Sequence, residues 1–286
     1  MHAKSILQYL WKLPVSAIAF FIGMALSGAL LPMLGLQSPE MPAGTDANTI
    51  ALWFMLGSLI LALPLSFLSR NLAVKPPGRW LILFALTWGI GGVGMVLESY
   101  FFMETGAVSS VNSALFTILN FVLPSLCLTG AVVWFFPPAE STNQSEMGLD
   151  LSGWGWKLAA ALSAYPAVYF IFGLLVQPFV IEFYSQGQYE LTAPTWGQLI
   201  PLQLGRSALF LLICWPVIRF WHGSRRNLWL SLGASFFVLT AFMAVITAYW
   251  FPWQLRFFHG LELLADGIIY AGILVILFPG QRLTTQ

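Results

Sequence analysis

Arg256, His259, Glu262, Asp266 and Tyr270 follow one another at intervals of three and four residues in the last apolar stretch of the chain. On a helix that turns about 100° per residue they share one face, an arc of roughly 120°. Leu261, Leu264, Ile268 and Ile269 fall on the opposite face. A strip carrying a guanidinium, an imidazole, two carboxyls and a phenol could exchange protons, hold a cation or polarise a substrate. His259, Glu262 and Asp266 also stand at the i, i+3 and i+7 positions of a helix. Donors of that kind suit zinc, iron or manganese, and a helical His/Glu pair is half of a carboxylate-bridged centre. No second histidine supports that reading. His2 is terminal, and His222 belongs to a basic segment with Arg219, Arg225 and Arg226 near the opposite membrane face, which also removes a bis-histidine haem. Metal binding therefore stays subordinate, and no cofactor is expected.

A second stretch supplies the counter-charge. With a rise of 1.5 Å per residue, His259 lies about 9 Å and Asp266 about 20 Å from the outer end of its helix. Arg206 lies about 15 Å from the outer end of its own, with Gln203 one turn away. Arg206 is the only basic side chain at the level of Glu262 and Asp266, so the expected contact is a buried ion pair with one of these two acids. Glu98, and Ser113, Thr117 and Asn120 along one face of another stretch, reach the same outer-half layer. A charge at membrane depth costs roughly 2.5–3.5 kcal/mol, so it normally faces protein or trapped water. The candidate ligand- or ion-binding residues are accordingly Arg206, Glu262, Asp266, His259, Arg256, Glu98, Asn120, Gln203 and Tyr270. Arg206 would bind an anionic group or balance the acids, and Glu262 or Asp266 would exchange a proton or cation. The competing reading is structural: one ion pair locking two helices, since polar contacts between membrane helices average about 0.6 kcal/mol.

The elements that must position these residues are membrane-spanning helices. Hydrophobic residues make up 58% of the chain and charged residues 8%, with mean hydropathy +0.80. A soluble domain needs about 25% charged residues. Eight apolar stretches run over Pro14–Leu34, Ile50–Leu68, Trp80–Phe102, Val111–Phe136, Trp154–Val180, Trp196–Phe220, Leu228–Trp250 and Trp253–Phe278. Each is close to the roughly 20 residues that cross a 30 Å hydrocarbon layer. They are continuously apolar, which excludes barrel strands. Trp80, Trp154, Trp196, Trp250 and Trp253 sit at span boundaries, where an indole favours the headgroup region. The fold class is thus an all-α integral membrane protein of about eight transmembrane helices, one polytopic unit over residues 1–286.

Ten of the twelve Lys and Arg fall on one side: Lys4, Lys12, Arg70, Lys75, Arg79, Lys157, Arg219, Arg225, Arg226 and Arg282. The opposite connectors carry Glu40, Asp46, Glu104, Glu182 and Glu190 instead. The positive-inside rule then places both termini in the cytoplasm, in the inner membrane of a bacterium. A rival reading makes the first stretch a cleaved signal peptide ending near Ala25-Leu26-Ser27-Gly28-Ala29, leaving seven spans. A faint repeat at a spacing near 155 matches Arg70-Asn71-Leu72 with Arg226-Asn227-Leu228, and Phe121-Val122-Leu123-Pro124 with Ile276-Leu277-Phe278-Pro279. It suggests two parallel four-helix halves, 1–137 and 154–286, against chance similarity among apolar helices. The polar loop 138–153 would join them and be mobile; its Asn143-Gln144-Ser145 sequon lies on the cytoplasmic side and should carry no glycan.

Gly89, Gly91, Gly92 and Gly94 form a small-residue stripe suited to close helix packing or to a hinge. Pro64, Pro124, Pro166, Pro178, Pro201 and Pro216 should kink or end their spans. Cys127 and Cys214 lie inside apolar stretches and read as packing residues. A net charge of +1 gives no case for nucleic acid. No phosphate loop, His-Glu-x-x-His or Gly-x-Ser-x-Gly elbow occurs. The leading expectation is a transporter or ligand-binding membrane protein with a charged site in the outer half of the bilayer. Its partners would be membrane lipids, a small molecule or ion, and a second membrane protein. An intramembrane enzyme acting on a lipid or isoprenoid, or an accessory subunit of a membrane complex, is the alternative.

Overall fold

The computed structural model describes residues 3–39, 45–103, 110–138, 153–187, 189 and 191–278. Residues 139–152 of the polar loop, with its sequon, together with Glu40, Glu104, Glu190 and Arg282, lie outside them. Eight helices are long and apolar enough to cross a membrane: α1 (Ala3–Met33), α2 (Ala47–Asn71), α3 (Pro76–Phe102), α4 (Val111–Phe135), α5 (Trp154–Ser185), α6 (Trp196–Arg219), α7 (Arg225–Thr247) and α8 (Trp253–Leu277). Among the described residues no strand forms, only two isolated bridges between connectors.

Helix starts follow local sequence. Asp46 caps α2, accepting from the backbone N–H groups of Asn48 and Thr49, which satisfies donors a helix leaves free at its first turn. The Thr49 hydroxyl, 2.7 Å from Asp46 Oδ2, leads the hydrogen bonds that hold this carboxyl below its ordinary range. Ser110 and Ser224 cap α4 and α7 in the same way. The Gln198 side chain reaches back to the Thr195 N–H at the start of α6. α1 begins eleven residues before the predicted Pro14 and carries that proline inside it. Lys12 donates to the Phe135 carbonyl at 3.0 Å, serving the C-terminal end of α4.

Connector contacts fix the alternation of the helices. At one end Leu72 and Trp221 pair antiparallel, with Ala73 N–H to Phe220 O at 2.9 Å and His222 N–H to Asn71 O at 2.7 Å. The α2–α3 and α6–α7 connectors therefore share that end, which is the basic one. At the other end Met103 bridges Leu191. There Gln37 donates to Asn112 and Asp46 N–H donates to the Tyr249 hydroxyl. This is the acidic end, and four connectors meet there.

Burial shows which helices are central. The most apolar window of α3 and of α7 is 56% buried, against 28% for α1 and 33% for α5. α1 packs along α4 and α5 along α8, each pair flanking the centre, while α2 leans on α7 and α6 on α3. α3 and α7 each widen to a π-helical turn within the helix, Gly89–Gly94 and Phe237–Phe242, and these two turns touch. The glycine stripe serves this packing: a side chain on Gly91 would strike Phe121 of α4 and Leu239 of α7, and one on Gly94 would meet Phe210 of α6.

Of the marked prolines, Pro64, Pro166, Pro178, Pro201 and Pro216 ride inside continuous helices. Pro124 is different. It lacks the N–H that would bond the Asn120 carbonyl one turn back, and α4 breaks there, at Phe121. The tripeptide match of the expected repeat does not survive: Arg70-Asn71-Leu72 closes α2, whereas Arg226-Asn227-Leu228 opens α7. Phe121–Pro124 lies mid-helix, whereas Ile276–Phe278 ends α8.

The α1–α4 seam offers a direct check. A Cβ on Gly23 would lie 2.5 Å from the Pro124 Cα, whereas one on Gly28 of the same helix meets nothing within 4 Å. Gly23→Ala should cost about 1–3 kcal/mol and lower the melting temperature of the purified protein, while Gly28→Ala, which only gains helix propensity, does not lower it. Equal melting temperatures for the two variants would contradict this seam.

Candidate functional site

The charged residues of α3, α6 and α8 do gather in one layer, but with a different partner for the arginine. Arg206 is fully buried, and its Nη2 lies 2.9 Å from Oε2 of Glu98 on α3. Neither Glu262 nor Asp266 reaches it within 4.0 Å. The reason is packing. α6 lies against α3 and α5 rather than along α8, and Glu262 is taken within its own helix by His259, whose Nδ1 is 3.0 Å from Glu262 Oε2. His259 turns its other nitrogen towards Glu98, with Nε2 to Oε1 at 3.9 Å. Glu98 thus stands between a guanidinium and an imidazole, linking α6 to α8 through α3.

The pair is close but imperfectly aligned. Glu98 Oε1 and Oε2, Arg206 Nε and Nη2, Gln203 Nε2 and Asn120 Oδ1 are buried without a hydrogen bond among the described residues. Arg206 Nη1 reaches Gln203 Oε1 only at 3.5 Å. Asp266 is the extreme case: it is 1% exposed, and neither carboxyl oxygen has a hydrogen-bond partner. It sits within electrostatic range of Glu262, Arg206, Glu98 and His259.

Aromatic rings complete the arginine's surroundings. The guanidinium carbon lies 5.4 Å from the Tyr165 ring centre and 5.6 Å from that of Phe210, in range of cation–π attraction. Neither residue is among the sequence candidates. Their signal would be the register of Phe210, one turn beyond Arg206 on α6, but an aromatic in an apolar helix is unremarkable. Gly173 is also missed: a Cβ there would lie 3.2 Å from Glu262 Oε1, so this glycine leaves room for the carboxyl to pass α5.

Above this layer, towards the acidic end, lies a cavity of about 1380 Å³. Glu98, Asn120, Arg256 and His259 line it, with Ser113 and Thr117 of α4. The π-turns contribute Gly91, Leu239, Thr240 and Ala241, and the connector residues Gln37, Ser38, Tyr189 and Trp250 carry the lining to the helix ends. The remainder is largely apolar and aromatic, including Phe54, Phe116, Phe121 and Met95. The break at Phe121 keeps Asn120 at the wall. Arg256 is tied by Nε to the Phe251 carbonyl at 3.1 Å, near the mouth.

The other candidates lie behind the wall. Arg206, Gln203, Glu262 and Asp266 do not line the cavity. Tyr270 belongs to an aromatic core with Tyr165, Phe210 and Phe236, its hydroxyl 3.3 Å from the Ser207 carbonyl. His259, Glu262 and Asp266 do not form a metal-holding group, and among the described residues no three His, Cys, Asp or Glu do.

The layer makes a sharp energetic prediction. Arg206→Met should destabilise the protein by about 3–5 kcal/mol, because it strands a buried carboxylate. Adding Glu98→Gln should restore most of that loss, whereas adding Glu262→Gln should not. Thermal denaturation of the single and double variants in detergent measures the coupling; rescue by Glu262→Gln instead would contradict the pairing.

Comparison of the chain with protein-family models, with curated proteins and with solved structures finds no match.

Proposed function

We propose that this multi-pass membrane protein binds and moves a small solute through the cavity, with Glu98 and His259 as the charged face the solute meets. The observation that carries the reading is the coincidence of a large cavity, reaching the connectors of one end, with a charged residue in its wall, Glu98, whose buried carboxylate pairs with Arg206 but makes no aligned hydrogen bond. Ion pairs that serve only to lock helices do not need a hollow beside them. Membrane depth makes such a layer costly, and a ligand or proton that completes it lowers that cost.

In this reading the acidic end faces outward and both termini are cytoplasmic, as expected from the basic residues. We read the two halves as related and parallel. Trp80 of α3 donates to the Leu126 carbonyl at 3.0 Å, and Trp229 of α7 donates to the Ile268 carbonyl at 2.8 Å. Gly130 and Gly272, one turn further on, each face that indole. The paired π-turns and the pairwise packing of α1–α4 with α5–α8 support the same relation, as do Trp11-Lys12-Leu13 and Trp156-Lys157-Leu158. Counted from the glycines, Thr117 and Asn120 fall where α8 carries His259 and Glu262. Thr117 and Asn120 of one half and His259 of the other all contribute to the cavity wall. Rocking of two such halves about a shared site is how many transporters alternate access.

Two measurements test this. Thermal stabilisation of the purified protein across a panel of amines, carboxylates, sugars and lipids should reveal a stabilising solute whose effect is lost on Asn120→Leu, which fills the cavity wall. With Cys127 and Cys214 replaced, a cysteine at Asn48 should react with an impermeant maleimide from outside intact cells, and one at His222 should not. A panel with no stabilising member, or labelling at His222 alone, would overturn the corresponding half of the proposal.

A further inference from the structure

We infer that the solute is an organic cation, an amine or onium group on an apolar body, and that it displaces a proton from the carboxylate layer when it binds. This rests on the solute-site reading above and adds the sign of the ligand's charge. The layer contains three carboxyls, Glu98, Glu262 and Asp266, against the two cationic groups Arg206 and His259. With both cations charged, one negative charge remains uncompensated in a medium where an unpaired ion is costly. Asp266 has no hydrogen-bond partner on either oxygen. Glu98, nine-tenths buried, belongs to the cavity wall; its carboxylate oxygens are themselves buried, with Oε1 free of hydrogen bonds and 3.9 Å from the imidazole. One positive charge therefore completes the layer, and it is either a proton on a carboxyl or a cation lodged against Glu98.

The surroundings favour the same sign. Around the layer the other titratable groups are the phenols of Tyr165, Tyr169 and Tyr184 on α5. α7 brings only hydroxyls to the cavity, from Thr240 and Thr247. Arg256, one turn nearer the mouth on α8, is anchored to the Phe251 carbonyl rather than to the acids. Phe54, Phe116, Phe121, Tyr189 and Trp250 line the cavity, and aromatic faces attract cations as well as apolar bodies. An anion at the inner end of the cavity would approach the Glu98 carboxylate, whereas a cation there is attracted to it.

The test uses the full chain in detergent and a pair of probes of nearly equal shape and opposite charge, tetraphenylphosphonium and tetraphenylborate, titrated calorimetrically against matched empty micelles. The phosphonium should bind and the borate should not. Its affinity should rise with pH by up to about tenfold per unit, the slope for release of one proton. Titrations in buffers of different ionisation enthalpy should show that release directly. Asp266→Asn, which removes a carboxyl without a hydrogen-bond partner and leaves the Arg206–Glu98 contact intact, should weaken the phosphonium about tenfold and flatten the pH dependence. Glu98→Gln should weaken it further; if that variant does not fold, the Asp266 variant decides alone. Binding of the borate, or of a neutral panel member, without the phosphonium would overturn the cationic assignment and leave the solute site standing. Phosphonium binding with no proton release and no response to Asp266→Asn would mean partition into an apolar hollow, and would also overturn it. No binding of any probe or panel member would sink both readings.

Discussion

The contact between Arg206 and Glu98 is the constraint around which the middle of this protein is organised. A guanidinium and a carboxylate taken out of water each cost several kcal/mol, and their attraction repays this only when further groups complete the shell. Here the shell is partial. Tyr165 and Phe210 present their rings to the cation, Gln203 stands at the limit of hydrogen bonding, and His259 approaches the far side of the carboxylate. The pair binds α3 to α6, and the imidazole extends the connection to α8. A hollow beside so costly an arrangement is a place where binding energy is available.

The same contact explains why α3 is central. Glu98 must stand in the layer, so α3 has to reach α6, α4 and α7 at once, and its glycines permit that approach. The π-turn over Gly89–Gly94 resets the helical register between the packed basic half and the short segment that carries Glu98. Its neighbour on α7 widens in the same way and forms part of the cavity wall. Such widened turns are frequent at functional sites because they re-aim a side chain without breaking the helix.

The eight crossings, the acidic and basic ends and the depth of the polar layer were all legible in the sequence, because length, hydropathy and rise per residue determine them. Partner choice was not. Depth places Arg206, Glu98, Glu262 and Asp266 at similar levels, but only packing decides that α6 faces α3, and only the local His259–Glu262 contact removes that acid from contention. The break at Phe121 could be anticipated from Pro124, whereas five other prolines lie inside helices that do not end at them. The tripeptide matches aligned the wrong ends of helices. The contacts that support the proposed relation of the halves, those of Trp80 and Trp229, come from single residues in apolar sequence and are visible only once their hydrogen bonds are seen.

A structure of the full chain in lipid nanodiscs, determined with and without a stabilising solute, tests the account most directly. It should show the Arg206 guanidinium on Glu98 in both states, and solute density in the cavity against Glu98 and His259. An arginine turned to Glu262 or Asp266, with side chains closing the space beside it, would contradict the account.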